Sequence, residues 1–326
     1  MIRYQTHIKI AGTKSTRISA SQLFGEFGGN ITNPDKKIME IFVADGTFVQ
    51  PDQSGAEALV VAYESEPGNF RNLFIHGVKP HTWMAMHLFK DSWGQQERSI
   101  QYYLDCPIAE LSKAPGWKVF TKEIQNADDG KKYFLGKKVI HASNYRMGPR
   151  TFMMNALKDS AGLLSLSYDE CRRYLDTYKR LFPEVIAWQS HIELVVTHER
   201  RLTNLLGVFR EFHRQITDSY IRDAISWIPQ STVGGITNNA CIKLQDFIET
   251  NRKAWHLLSN KHDSYMSDVL DEKEVPECIE VMRKFMEVPL VGRFGDKYTM
   301  RTGISVGKVW AAWDEKKCPN GMKEIK

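Results

Sequence analysis

The chain has 326 residues, 42% hydrophobic and 25% charged, which gives one large or two moderate globular domains and excludes a disordered or low-complexity class. Its net charge of +5 admits a polyanionic partner without demanding one. Five scattered cysteines (106, 171, 241, 278, 318) without a CxxC exclude a disulfide framework and a zinc ribbon. The lack of a bilayer-length apolar run or a signal-peptide core excludes membrane embedding and points to the cytoplasm.

In chain order, residues 1–36 are polar and turn-rich. Arg17 stands among hydroxyl residues in GTKSTRISAS and suits either a phosphate contact or a solvated loop. The stretch IMEIFVADGTFVQ predicts strands joined at an Asp-Gly turn. FVQPDQSGAEALVVAY then predicts strand, loop and helix, with Asp52 ending the strand and Glu57 following five residues later. A carboxylate there is a candidate metal ligand, or simply a helix-capping Asp. Pro80 predicts a helix start that puts His81 in the first turn, where a bound phosphate can sit; the alternative is a surface histidine. Residues 91–130 are polar, with Pro107 and Pro115, and read as an irregular loop or insertion.

In KKYFLGKKVIHASNYRMGPR, Lys137, His141 and Tyr145 recur at four-residue spacing and share one helix face, up to a stop at Gly148-Pro149. A cation, an imidazole and a phenol on one face suit a nucleotide; a solvated amphipathic helix is the alternative. Residues 151–220 read as helical, with Arg200, Arg201, Arg210 and Arg214 able to follow phosphates or merely to face solvent. Arg222 and Gln230 flank Pro229, with Gln230 opening a helix over 230–249. KAWHLLSNKHDSYMSDVL predicts a β-hairpin with Asp263 at or near its turn. The C-terminal part reads as short strands, and GISVGKV is not a P-loop, being one residue short with no Ser or Thr after the Lys.

Six motifs, in order, resemble family A DNA polymerases, the DNA polymerase I type, particularly phage-encoded members. They are S-T-R-I-S (15–19), P-D-Q-S-x-x-E (51–57), P-H-T (80–82), K-x3-H-x3-Y (137–145), R-x7-Q (222–230) and H-D-S (262–264); a closing G-x-x-W (Gly307, Trp310) fits as well. The resemblance implies an α+β right-hand polymerase fold: an antiparallel palm sheet from 1–80 and 228–326, and helical fingers from 81–227. It implies a template-directed DNA polymerase that adds dNTPs to a primer 3′-OH on primer-template DNA, with two Mg²⁺ ions held by Asp52 and Asp263. Two carboxylates brought together from such distant positions repel unless a cation lies between them. Lys137 matches the catalytic lysine at the triphosphate, and Glu57 the steric gate against a ribose 2′-OH. His81 matches a triphosphate contact, His141 a ring on the sugar, and Tyr145 the ring at the templating position. Arg17, Arg222, Gln230 and His262 match nucleic-acid contacts at the minor groove and primer terminus.

This chain departs from the family pattern in several places. Ser15 replaces Thr, Gly55 replaces Gln, and Arg146 replaces Gly after Tyr145. Tyr133 replaces a phosphate-binding Arg, for which Lys131 and Lys132 are candidate substitutes. Ser264 replaces Glu and is shared with single-subunit RNA polymerases, an alternative opposed by Glu57 and the Arg222/Gln230 pair. A non-catalytic DNA-binding module is the other alternative. A thumb and 3′–5′ exonuclease are expected to be absent, with a separate chain supplying them or the chain being a fragment. The expected location is cytoplasmic, in the host if the chain is phage-encoded.

Overall fold

The computed structural model describes residues 7–9, 19–21, 36–53, 55–92 and 100–325. Its centre is a five-stranded antiparallel sheet in the order Gly321–Ile325, Thr302–Ala312, Val43–Gln53, Ser264–Val269, Trp255–Lys261. Alternation along Val43–Gln53 gives the sheet two different faces. Val49, Tyr265, Val269 and Ile304 point to one side and pack on Ala240, Leu244 and Ile248 of a long helix and on Cys278, Met282 and Met286 of the helix Val275–Met286. Phe48 points to the other side, where it meets Met266 and Trp310. Gln50 and Asp52, two and four residues on, share that second face.

The remaining helices form a separate layer around a larger apolar cluster that includes Met84, Val139, Tyr174, Tyr178, Trp188 and Trp227. Pro80–Leu88 and Lys131–Asn144 cross closely because Gly136 has no side chain: a Cβ there would lie 2.5 Å from the His81 carbonyl oxygen. Tyr168–Leu181 opens with a capping box between Ser167 and Glu170. The helix Asp218–Asn251 runs 34 residues and joins the two parts. Among the described residues, no helix is long and apolar enough to cross a membrane.

Four local expectations are corrected. Asp45-Gly46 is no turn but lies inside the strand Val43–Gln53. Both backbone amides donate to the Asp268 carboxylate, at 2.8 and 3.0 Å, and a Cβ on Gly46 would lie 2.1 Å from the Val269 carbonyl oxygen. The glycine serves close approach, not reversal.

Within 91–130 the chain forms the helices Ile100–Asp105, Ile108–Leu111 and Trp117–Asn126, whose Tyr103, Trp117, Phe120 and Ile124 are buried. Gln230 does not begin a helix: Asp218–Asn251 continues through Pro229, whose neighbours Ile228, Ser231 and Thr232 are buried. Proline removes one ladder hydrogen bond, and packing on both sides outweighs that loss.

Finally, the helix carrying Lys137 and His141 stops at Asn144, before Gly148-Pro149. Tyr145 is its C-cap and Arg146 is left-handed at φ 55°. The Met147 amide donates to Ala142 and the Arg146 amide to Ser143, which closes the helix in a Schellman motif.

Candidate active site

Asp52 is placed by the sheet. It pairs with Ser264 on one side and Gly303 on the other. The strands Trp255–Lys261 and Ser264–Val269 form the expected hairpin, turned by His262, in the left-handed region at φ 51°, and Asp263. The Gln53 amide donates to the Asp263 carbonyl at 3.1 Å, which fixes the turn beside the end of the Asp52 strand. Asp52 caps nothing: Gly55, left-handed at φ 65°, is the N-cap of the following helix Ala56–Glu64. The two acids therefore meet as expected, from positions far apart in the chain.

Asp52 is open to solvent by area yet crowded by protein atoms, and the crowding governs its protonation. Its pKa rises to about 6, first through burial and then through the charges of Asp263 and Glu324; Lys261 and Lys137 oppose the rise. Glu324, on the edge strand, sits over Gly303, where its Oε1 would lie 3.0 Å from an added Cβ. Sequence reasoning passed over Glu324, since a lone acid near a C-terminus carries no motif.

Beside the carboxylates a cleft of about 380 Å³ is lined by Asp263, Glu57, His81, Lys137, His141 and Tyr145. Six residues singled out in the sequence thus share one space. Glu57 is in the first turn of Ala56–Glu64, and the Tyr145 hydroxyl donates to its carboxylate. The His141 and Tyr145 rings meet edge to face at 5.2 Å. Lys138 pairs with Asp159, whereas Lys137 has no ion-pair partner among the described residues. His81 is pushed down to about 4, by burial first and then by Lys137, Lys79 and His141, so its ring is neutral near pH 7. Tyr133, where an Arg was expected, packs its ring against His81 at 6.0 Å.

The helix end that presents Tyr145 is locked from behind. Gln189 donates to the Ser143 carbonyl at 2.6 Å and to that of Asn144 at 3.1 Å, while the buried Tyr178 hydroxyl donates to the Asn144 side chain. The hairpin is tied to the long helix by Asn260, which donates to Asn238 at 3.0 Å. Arg222 is exposed and Gln230 half-buried on that helix; neither lines the cleft. His262 is half-buried at the hairpin turn. Arg17 lies outside the described residues.

The Trp of the closing G-x-x-W is fully buried and donates its indole N–H to Gln50 Oε1 at 3.2 Å. Gln50 in turn donates to Ser264 Oγ at 3.3 Å. Gly307 allows the edge strand to approach, since a Cβ there would lie 2.5 Å from the Gly321 carbonyl oxygen.

Asp52 and Asp263 would be the two carboxylate donors for a divalent cation. Among the described residues no group of three or more His, Cys, Asp or Glu is placed to hold a metal ion. Mg²⁺ is commonly held by one or two carboxylates together with waters and substrate phosphates, and Asp52 with Asp263, near Lys137, is compatible with that pattern.

No family model matches the chain. DNA polymerase I of Helicobacter pylori (strain ATCC 700392 / 26695) is 19% identical over 152 residues, covering 45% of this chain and 16% of that protein. The solved POL domain of Pol1 from M. smegmatis, in complex with DNA primer-template and dNTP, superposes with a TM-score of 0.67 at 17% identity. That match covers 94% of this chain and 47% of the other. The chain thus spans about half the length of the solved relative and has its polymerase-domain fold, so the expected α+β right-hand architecture is borne out.

Proposed function

We propose that the chain is a template-directed DNA polymerase that adds dNTPs to a primer 3′-OH. The observation that carries this reading is the strand pairing that sets Asp52 beside the Asp263 turn, with Asp263 lining a cleft shared with Lys137, His81 and Glu57. In this reading the sheet and its helices, 1–80 and 228–326, form the palm, and 81–227 the fingers, with the boundary inside the helix Asp218–Asn251.

Asp52 and Asp263 are the residues that would hold two Mg²⁺ ions. When bound, those ions lower the pKa of the primer hydroxyl and offset the charge that builds up during in-line phosphoryl transfer. The protein's own groups do the rest. Lys137 places a cation where the triphosphate enters and is positioned to give a proton to the departing pyrophosphate. His81, being neutral, offers a hydrogen bond without adding a second charge. Glu57, held by Tyr145, narrows the space beside the sugar and discriminates against a 2′-hydroxyl. His141, edge to face with Tyr145, is the proposed ring against the sugar, and Tyr145 the proposed ring at the templating position. Arg17, Arg222, Gln230 and His262 are the proposed contacts to primer-template DNA. A separate chain carrying a thumb and 3′–5′ exonuclease remains part of the proposal, tested by adding one to the assay below.

The test is extension of a primed template with Mg²⁺, comparing dNTPs with rNTPs in wild type, Asp52→Ala and Asp263→Ala. Extension with dNTPs that either substitution abolishes, while DNA binding persists, supports the proposal. Extension by the variants at the wild-type rate overturns the assignment of the carboxylates, and preference for rNTPs overturns the assignment of Glu57.

A further inference from the structure

Lys261 precedes the His262-Asp263 turn, and no role described so far uses it. Its position is built, not incidental. Lys261 and Asp52 both pair with Ser264, so the three residues form one row across three strands. Neighbouring strands lie about 5 Å apart, which places the Lys261 and Asp52 backbones roughly 10 Å apart, within reach of side chains on one face. The Lys261 ammonium is half-buried and lies 4.0 Å from the centre of the Trp310 ring. That ring is itself fixed through Gln50 to Ser264, the residue after Asp263. The ammonium is thus anchored on a buried indole, in the same row as Asp52 and two residues before Asp263; among the described residues it forms no ion pair with either acid, and its charge acts on both through space.

We propose that Lys261 is a resident counter-cation of the carboxylate pair: it holds Asp52 and Asp263 together in the metal-free protein and weakens metal binding by its like charge. It is a positioning residue that sets the metal affinity of the site. The inference rests on the reading of Asp52 and Asp263 as the metal-holding pair. A cation fixed on the indole offsets part of the repulsion between the two acids before any divalent ion arrives.

The experiment is calorimetric titration of Mn²⁺ into the full chain without DNA, near neutral pH, paired with thermal unfolding with and without Mn²⁺. Wild type is compared with Lys261→Met, Lys261→Gln, Lys261→Arg and the double variant Asp52→Ala/Asp263→Ala. Met keeps an apolar contact with the Trp310 ring, and Gln is a second neutral substitute should Met disturb folding. Removing one like charge at this separation tightens Mn²⁺ binding about three- to tenfold in both neutral variants. The neutral variants melt lower than wild type without metal and regain the difference with Mn²⁺, while Lys261→Arg behaves as wild type. Mn²⁺ binding that the double variant loses but the neutral variants leave unchanged overturns this inference alone. Wild-type binding that equals that of the double variant overturns the metal-site reading and the inference with it. A change in DNA affinity with no change in metal affinity also overturns it.

Discussion

Tyr145, the C-cap of one helix, donates its hydroxyl to Glu57, in the first turn of another. The bond links two residues that both line the cleft and limits the freedom of the carboxylate. In the proposed function this makes the gate a two-residue device. Glu57→Ala is expected to raise rNTP incorporation relative to dNTP by about tenfold or more, the scale on which a pocket loses discrimination when its bulk is removed. Tyr145→Phe leaves the bulk but frees the carboxylate, so its effect on the same ratio is smaller. Single-nucleotide incorporation with matched dNTP and rNTP measures both.

Lys137 and Lys138 are adjacent, yet among the described residues Lys138 is ion-paired, to Asp159, and Lys137 is not. Lys137→Ala is expected to lower kcat/KM for dNTP by about 10²- to 10³-fold, the cost of removing a preorganised cation from developing charge, with little change in DNA affinity. Lys138→Ala loses a surface pair and is expected to stay within about 1 kcal/mol of wild-type stability, with near-normal kinetics. Presteady-state incorporation and urea unfolding of the two variants check this.

Gly136 permits the helix crossing that puts His81 opposite Lys137. In Gly136→Ala the new methyl meets the His81 carbonyl at 2.5 Å and Ala85 atoms at 3.0 Å, all on or next to helix backbone. Overpacking of this kind costs about 1–3 kcal/mol. The two helices must separate, and the dNTP KM is expected to rise with the loss of stability. Urea unfolding and a dNTP titration are the measurements.

Glu64 is buried at the far end of the helix that begins beside Glu57, and its pKa rises from 4.5 to about 7, through burial, with Arg293 opposing. The folded chain therefore binds this proton more readily than the unfolded chain does. The contribution favouring the fold is complete below about pH 4.5 and is lost as pH rises through about 7, on the order of 3 kcal/mol. Glu64→Gln, which cannot ionise, is expected to flatten this loss and to gain on wild type as pH rises. Unfolding free energies at about pH 5 and about pH 8 decide the matter.

The candidate site was legible chiefly through the resemblance carried by its six motifs, since each residue taken alone left a bland alternative open; most of these residues sit at element ends. Asp52 ends a strand, Glu57 and His81 open helices, and Asp263 forms a turn. Lys137, His141 and Tyr145 kept their common face even though the helix ended at Asn144. The misreadings arose where local signals compete with packing that the sequence does not display. Asp45-Gly46 has turn chemistry, but the Asp268 carboxylate takes its amides and the neighbouring strand needs the space. Pro229 reads as a break, yet the helix around it is buried on both sides. The helix Val275–Met286 had a usable signal that was not taken up: Pro276 near its start and Cys278, Met282 and Met286 at four-residue steps. Lys261 and Glu324 reach the carboxylates only through strand pairing, which no local pattern announces.

The helix Asp218–Asn251 has a consequence for how the molecule comes apart. Its first half, from Tyr220 to Ile236, belongs to the larger apolar cluster, and its second half, from Ala240 to Ile248, to the cluster beneath the sheet. Two cores threaded on one unbroken backbone cannot melt as independent units, because releasing either one frays the element that seals the other. Carboxylate sheet and cationic helical layer are therefore expected to unfold in a single cooperative step, so that neither half of the cleft outlives the other.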